Sequence, residues 1–171
     1  GWTKVYIEKM CEFYSRLGRT KHYILRHSNI YGPYDKFDLE NSHVFGATIN
    51  KVLDENSSEI NMWGDGSEER DLLYISDLVD SIEKLINLND NAPLHIFNIG
   101  SGYAISVKKM VKMIIDISGA KNKKINYDSS KPSVKTSISL NYSKAKLILG
   151  WEPKISLEEG IKNTISWYKK N

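Results

Sequence analysis

Residues 21–35 read KHYILRHSNIYGPYD. Tyr23, Ile24, Leu25, Ile30 and Tyr31 make this a β-rich run, and Gly32-Pro33-Tyr34-Asp35 is a turn that ends it. Polar Asn29 therefore stands at a strand end, beside Tyr31, Gly32 and Pro33. In α/β sheets clefts open at strand ends, so a polar side chain there is a candidate ligand contact.

The flanking segments set the fold class. Upstream, Trp2, Val5, Tyr6, Met10, Phe13, Tyr14 and Leu17 recur at helical spacing, and Gly18 is a natural stop. Their apolar residues fall on more than one side of that helix. Downstream, Val44, Ala47, Thr48, Val52 and Leu53 predict a helix. EINMW (59–63) and RDLLYI (70–75) read as strands around the turn GDGSEE. Ser76 or Asp77 is the expected cap of a helix carrying Leu78, Val79, Ile82, Leu85 and Ile86. LHIFNIG is a buried-type strand, Ser106 caps a further helix, and KINYD is a short strand. SKAKLILG predicts a short helix closed by Gly150, and Ser156 with Glu159 forms a capping box for the last helix. Strands alternate with helices through the middle, with no repeat and no long linker, which is an α/β pattern.

Bulk properties exclude several classes. The chain has 171 residues, 40% of them hydrophobic and 26% charged, which suits one ordinary globular domain. A net charge of +3, from 24 basic and 21 acidic residues, is too mild and dispersed for a nucleic-acid surface. No apolar run reaches the length of a membrane span. One cysteine, Cys11, rules out an internal disulfide framework and a cysteine-based zinc site, and fits a reducing, cytoplasmic location. No Cys or His pair has metal-ligand spacing. IGSGYAIS (99–106) has Gly100 and Gly102 after a strand but Ile105 at the third glycine position of a dinucleotide fingerprint, so it reads as a strand-to-loop turn.

Several residues have two readings. Lys4 is a surface lysine by spacing alone. His43 stands at a helix start, facing the positive end of the dipole, as a candidate proton carrier or a capping neighbour. Arg70 follows a turn with two glycines, suited to a phosphate fork, or makes a local pair with Asp77 or a glutamate. Trp63 is a stacking plate or core. His22 reads as a strand-edge residue, and His27 and His95 as satisfied structural ones.

In order, LRHSNIYGPYD, ENSHV, WGDGSEERDLLYISDLVDSI, FNIGSG and KPSVKTSISLNYSKAKLILGWEPKISLEEGI resemble the C-terminal half of the sugar-nucleotide epimerase/dehydratase family, the extended short-chain dehydrogenases. GPYDKFDLENSHV is most similar to the GDP-L-fucose synthase-like subgroup. The resemblance implies a fold made of the last strands and helices of a Rossmann domain plus a small α/β substrate domain. It also implies that residues 1–171 are the substrate-binding half, with a dinucleotide-binding half upstream. GWTK resembles the end of the family's Tyr-x-x-x-Lys pair, with Lys4 as its lysine and the tyrosine expected directly before Gly1.

The implied chemistry is hydride transfer at a sugar carbon with NAD or NADP. The tyrosine acts as acid/base, and the lysine lowers its pKa and holds the nicotinamide ribose. By the same resemblance His43 is a proton donor in epimerisation. Ser28, Asn29 and Ile30 lie near the cofactor, with Asn29 also near the substrate. Val44 and Lys51 line the nucleotide diphosphate, Trp63 contacts the base, and Arg70 and Lys131 bind the substrate. Ser133 and Val134 depart from the family's usual Asp-Gly. Ser137 replaces a common arginine, with Lys135 close by, and Asn141 replaces a frequent aspartate. The implied partner is a nucleotide-diphosphate sugar in a homodimeric enzyme; the other reading is a non-catalytic nucleotide-sugar-binding or assembly module.

Overall fold

The computed structural model describes residues 1–131 and 137–171. Pro132, Ser133, Val134 and Lys135 lie outside the described residues.

Helix α1 (Trp2–Ser15) comes first. It stops before Gly18 in a tightened tail: the backbone N–H groups of Arg16, Leu17 and Gly18 donate to the carbonyls of Phe13, Tyr14 and Ser15. Gly18 then takes φ +64°, which only glycine adopts without cost. The helix rests on strands β1 (His22–His27) and β6 (Leu94–Ile99), which pair in parallel from His22 opposite Leu94 to His27 opposite Ile99. The Arg26 guanidinium grips Glu8 through two bonds of 2.9 and 2.5 Å, a bidentate tie between α1 and β1.

The β-rich run divides in two at Ser28. Strand β2 (Asn29–Tyr31) leaves β6 and pairs in parallel with β5 (Leu72–Tyr74). Consecutive backbone donors mark the change: Ser28 N–H bonds the Ile99 carbonyl at 2.9 Å, and Asn29 N–H bonds the Asp71 carbonyl at 3.0 Å. RDLLYI divides as well, into β4 (Glu69–Arg70) and β5, because β4 pairs antiparallel with β7 (Ile105–Ser106) instead. Strands β3 (Glu59–Trp63) and β8 (Lys124–Asp128) form a parallel pair.

The remaining helices are α2 (Val44–Leu53), α3 (Ile75–Ile86), α4 (Val107–Ser118), α5 (Ser143–Leu149) and α6 (Leu157–Tyr168). Ser106 and Ser156 cap α4 and α6, accepting from the N–H groups of Lys109 and Glu159. Gly119 and Gly150 close α4 and α5 in the left-handed conformation. The expected cap of α3 is not there: the helix begins at Ile75 after Tyr74, with no side-chain cap. Asp77 is instead buried and accepts from the backbone N–H groups of Lys154 and Ile155, both at 3.1 Å. A carboxylate that can fix a distant loop in the interior gains more there than at a wet helix end.

Two apolar clusters hold these elements. Phe45, Ile49, Ile60, Met110, Ile114 and Ile161 bring α2, β3, α4 and α6 together. Phe97, Ile99, Ala145, Leu149 and Trp151 pack β6 on α5, and the Trp151 indole N–H donates to the Asp77 carbonyl at 2.9 Å. His95 sits in the second region as a structural residue, its Nε2 2.5 Å from Asp90 and its ring stacked between Tyr23 and Phe97. Among the described residues, no helix is long and apolar enough to cross a membrane.

Candidate functional site

Where the strand changes partner at Ser28, its two neighbours diverge, and a cleft of about 730 Å³ opens. Four separate segments line it: Lys4 from the first turn of α1, His27 to Asp35 from the strand ends and turn, His43 from the start of α2, and Glu69 to Asp71 from β4 and its junction with β5. Ile75, Ile138 and Leu140 complete the wall.

Six of the ten predicted site residues meet here: Lys4, Ser28, Asn29, Ile30, His43 and Arg70. His43 is the N-cap residue of α2, with extended backbone and no side-chain cap bond, so its exposed imidazole faces outward. Arg70 donates from Nη1 to the Glu69 carbonyl at 2.8 Å. Ser28 Oγ is buried, with no hydrogen-bond partner among the described residues.

The other four lie elsewhere. Val44 is partly buried against the first core cluster. Lys51 reaches from α2 to the Asn61 carbonyl on β3 at 2.7 Å, and desolvation lowers its pKa. Trp63 is 64% exposed at the end of β3, so it is not core. Lys131 Nζ stands 5.9 Å from the Trp63 ring centroid, which brings these two predicted residues together as a cation–π pair.

The organiser of the cleft is Asp71, which the sequence reading passed over. Its carboxylate is buried and accepts from Ser101 N–H at 2.8 Å, Ser101 Oγ at 2.7 Å and Leu140 N–H at 2.9 Å. Its carbonyl accepts from both Asn29 N–H and Asn29 Nδ2, each at 3.0 Å. One residue thus fixes Asn29, the loop after β6 and the segment at 140. Gly100 is needed beside it, since a Cβ there would lie 2.7 Å from Asp71 Oδ2. The signal for Asp71 in the sequence was only a polar residue directly before the apolar triplet Leu72–Tyr74.

Asp35 and His27 also enter the cleft. Asp35 Oδ1 accepts from Lys36 N–H at 2.8 Å, whereas Oδ2 is buried without a partner among the described residues. Burial raises the Asp35 pKa, opposed by that N–H bond and by His43. His27 Nδ1 lies 2.8 Å from the Ser28 carbonyl, and its exposed ring lines the cleft. Ser137 Oγ donates to Glu69 Oε2, so the serine standing where the resemblance implies an arginine is tied to a carboxylate that lines the cleft. Among the described residues, no group of three or more His, Cys, Asp or Glu side chains converges as a metal site.

A mostly parallel α/β fold with a cleft at a strand junction, walled by apolar surface and a few convergent polar side chains, has the form of a ligand site. The chain belongs to the NAD dependent epimerase/dehydratase family, whose sequence pattern matches residues 1–100. It is 35% identical over 147 residues to GDP-L-fucose synthase 1 of Arabidopsis thaliana, covering 84% of this chain and 44% of that protein. It is similar in structure to a UDP-glucose 4-epimerase of Thermotoga maritima solved with UDP-glucose, with TM-score 0.80 and 34% identity, covering 98% of this chain and 51% of that one. UDP-glucuronic acid 4-epimerase of Bacillus cereus, solved with UDP-glucuronic acid and NAD, matches with TM-score 0.80 and 27% identity, over 95% of this chain and 50% of that one. The chain spans about half the length of the relatives it matches.

Proposed function

We propose that this chain supplies the nucleotide-sugar-binding half of an NAD(P)-dependent epimerase, dehydratase or reductase acting on a nucleotide-diphosphate sugar. The observation that carries this reading is the convergence of Lys4, Asn29, His43 and Arg70 from four segments on one cleft. Arg70 takes the diphosphate, because a guanidinium offers paired donors to phosphate oxygens. Trp63 and Lys131 take the nucleotide, the indole by stacking and the ammonium by charge, while Val44 and Lys51 support the α2 wall beside it. Asn29, fixed by Asp71, presents its remaining amide capacity to a sugar hydroxyl.

The residues present fit a nicotinamide cofactor at the Lys4 end. Ser28 Oγ is a buried hydroxyl without a partner among the described residues, suited to a polar group such as a carboxamide, and Lys4 is exposed on the same cleft. When bound, the cofactor supplies the hydride acceptor and donor. Lys4 holds the ribose and keeps the phenol of a catalytic tyrosine acidic by its positive charge. His43 carries a proton to or from the sugar carbon next to the oxidised position. The enzyme is assigned to the cytoplasm and to a homodimer in which α1 is covered.

Isothermal titration with UDP-, GDP- and dTDP-sugars tests the site. At least one of them binds the wild type, and Arg70→Ala weakens it by roughly tenfold or more, the loss of a charge-assisted bidentate contact. Silence from every nucleotide sugar in both proteins removes the site assignment.

A further inference from the structure

We infer that Tyr34 forms a sugar-stacking platform at the cleft mouth, selecting the sugar part of the ligand independently of its nucleotide; this rests on the nucleotide-sugar reading above. Tyr34 lines the cleft and is 86% exposed, an aromatic ring presented to solvent at its mouth. Its backbone has φ +65°, the left-handed region, and it is the one non-glycine residue with positive φ among the described residues. An L-residue with a Cβ pays for that conformation, and such strain persists where the surrounding structure imposes it, often at ligand sites.

The surroundings do impose it. Gly32, two residues earlier, is wedged against Ile75, where a Cβ would lie 2.7 Å from Cγ2. The Lys36 carbonyl, two residues later, presses on Gly46 of α2 so closely that any Cβ would collide. The turn is thus clamped at both ends, and the ring of Tyr34 is thrown outward. Trp167 of α6 buttresses it from behind, with centroids 4.9 Å apart at 54°, and Phe37 backs Trp167 at 5.8 Å. An aromatic face backed on one side and 86% exposed matches a pyranose ring. Sugars present polar edges to groups such as Asn29 and His43, and a face of C–H groups to an aromatic plane. A nucleobase could also stack on it, but Trp63 with Lys131 already offers the base a second aromatic plane.

Paired titrations distinguish these roles: UDP-glucose against UDP, and GDP-fucose against GDP, with wild type, Tyr34→Phe and Tyr34→Gly. Glycine accepts φ +65° freely, so this variant deletes the ring without unfolding the turn, and its melting temperature serves as the fold control. The expected result is that the sugar increases affinity over the bare nucleotide in the wild type and in Tyr34→Phe. Tyr34→Gly should lose roughly threefold to tenfold for the nucleotide sugar and leave the bare nucleotide unchanged. Equal weakening of nucleotide and nucleotide sugar, or no loss for either, overturns the platform while leaving the nucleotide-sugar site standing. No binding of any of the four compounds by the wild type overturns both.

Discussion

Asp71 shows how much can depend on one buried carboxylate. Three donors converge on it, two of them backbone N–H groups. Removing it takes the acceptor from two partly buried backbone N–H groups, while Ser101 Oγ keeps the Tyr103 carbonyl at 3.1 Å, so Asp71→Ala should cost roughly 2–3 kcal/mol, and Asp71→Asn less, because the amide keeps one acceptor oxygen. Chemical denaturation measures the cost, and amide exchange at Ser101 and Leu140 should accelerate in the alanine variant. Asp35 acts in the opposite sense. Its carboxyl is raised by burial, so the folded state holds the proton more tightly than the unfolded chain. Its contribution is present at pH below the ordinary aspartate range and is lost as pH rises through the higher folded value. Asp35→Asn should therefore be stabilised relative to wild type at neutral pH and converge with it in acid, as denaturation midpoints across pH 3 to 7 can check. A uniform offset at every pH would mean that the charge plays no part. Gly160 is a third case: a Cβ there collides with the Tyr31 hydroxyl, so Gly160→Ala should lose roughly 1–3 kcal/mol by overpacking.

At the scale of elements, α1 has the clearest consequence. Only Ser15 of the helix is buried, while Trp2, Tyr6, Ile7 and Phe13 are 87%, 65%, 55% and 58% exposed. A surface of that kind favours association, so light scattering of the chain at high concentration should report oligomers. Trp2→Glu with Tyr6→Glu should return it toward monomer without lowering the melting temperature, since neither side chain supports a core.

Helix positions and most strands were legible in the sequence because apolar spacing and the caps at Ser106 and Ser156 are local signals. The breaks at Ser28 and Asp71 were not. Each depends on which partner a strand pairs with, and nothing within LRHSNIYG or ERDLLY states that. The cap assigned to α3 was misjudged for a related reason. Asp77 has the chemistry of a capping residue, but the loop at 154–155, far away in sequence, claims its oxygens. The cleft residues Lys4, Asn29, His43 and Arg70 were found through motif order, whereas Asp71, whose role is to hold others, left no motif of its own.

For the whole molecule, ligand binding and stability are linked. A ligand that binds only the folded chain adds about 2.7 kcal/mol at one hundred times its dissociation constant. A nucleotide sugar that occupies the cleft should therefore raise the melting temperature by several degrees, and Arg70→Ala should abolish most of that increase. Calorimetry in the presence and absence of ligand separates this effect from intrinsic stability changes.

The change of strand partner at Ser28 also bears on how the family diversifies. Of the residues lining the cleft, Tyr34, Asp35, His43 and Arg70 belong to neither apolar cluster, whereas Tyr31, Ile75 and Ile30 join the cleft to them. Substitutions at Tyr34, Asp35 or His43 that altered the cleft would need no matching repacking of a core. Drift in specificity and maintenance of foldability can then proceed as nearly separate evolutionary problems. Relatives sharing about a third of their residues with this chain bear the names of both a fucose synthase and a glucose epimerase, as expected of a scaffold that leaves its selective surface free to vary.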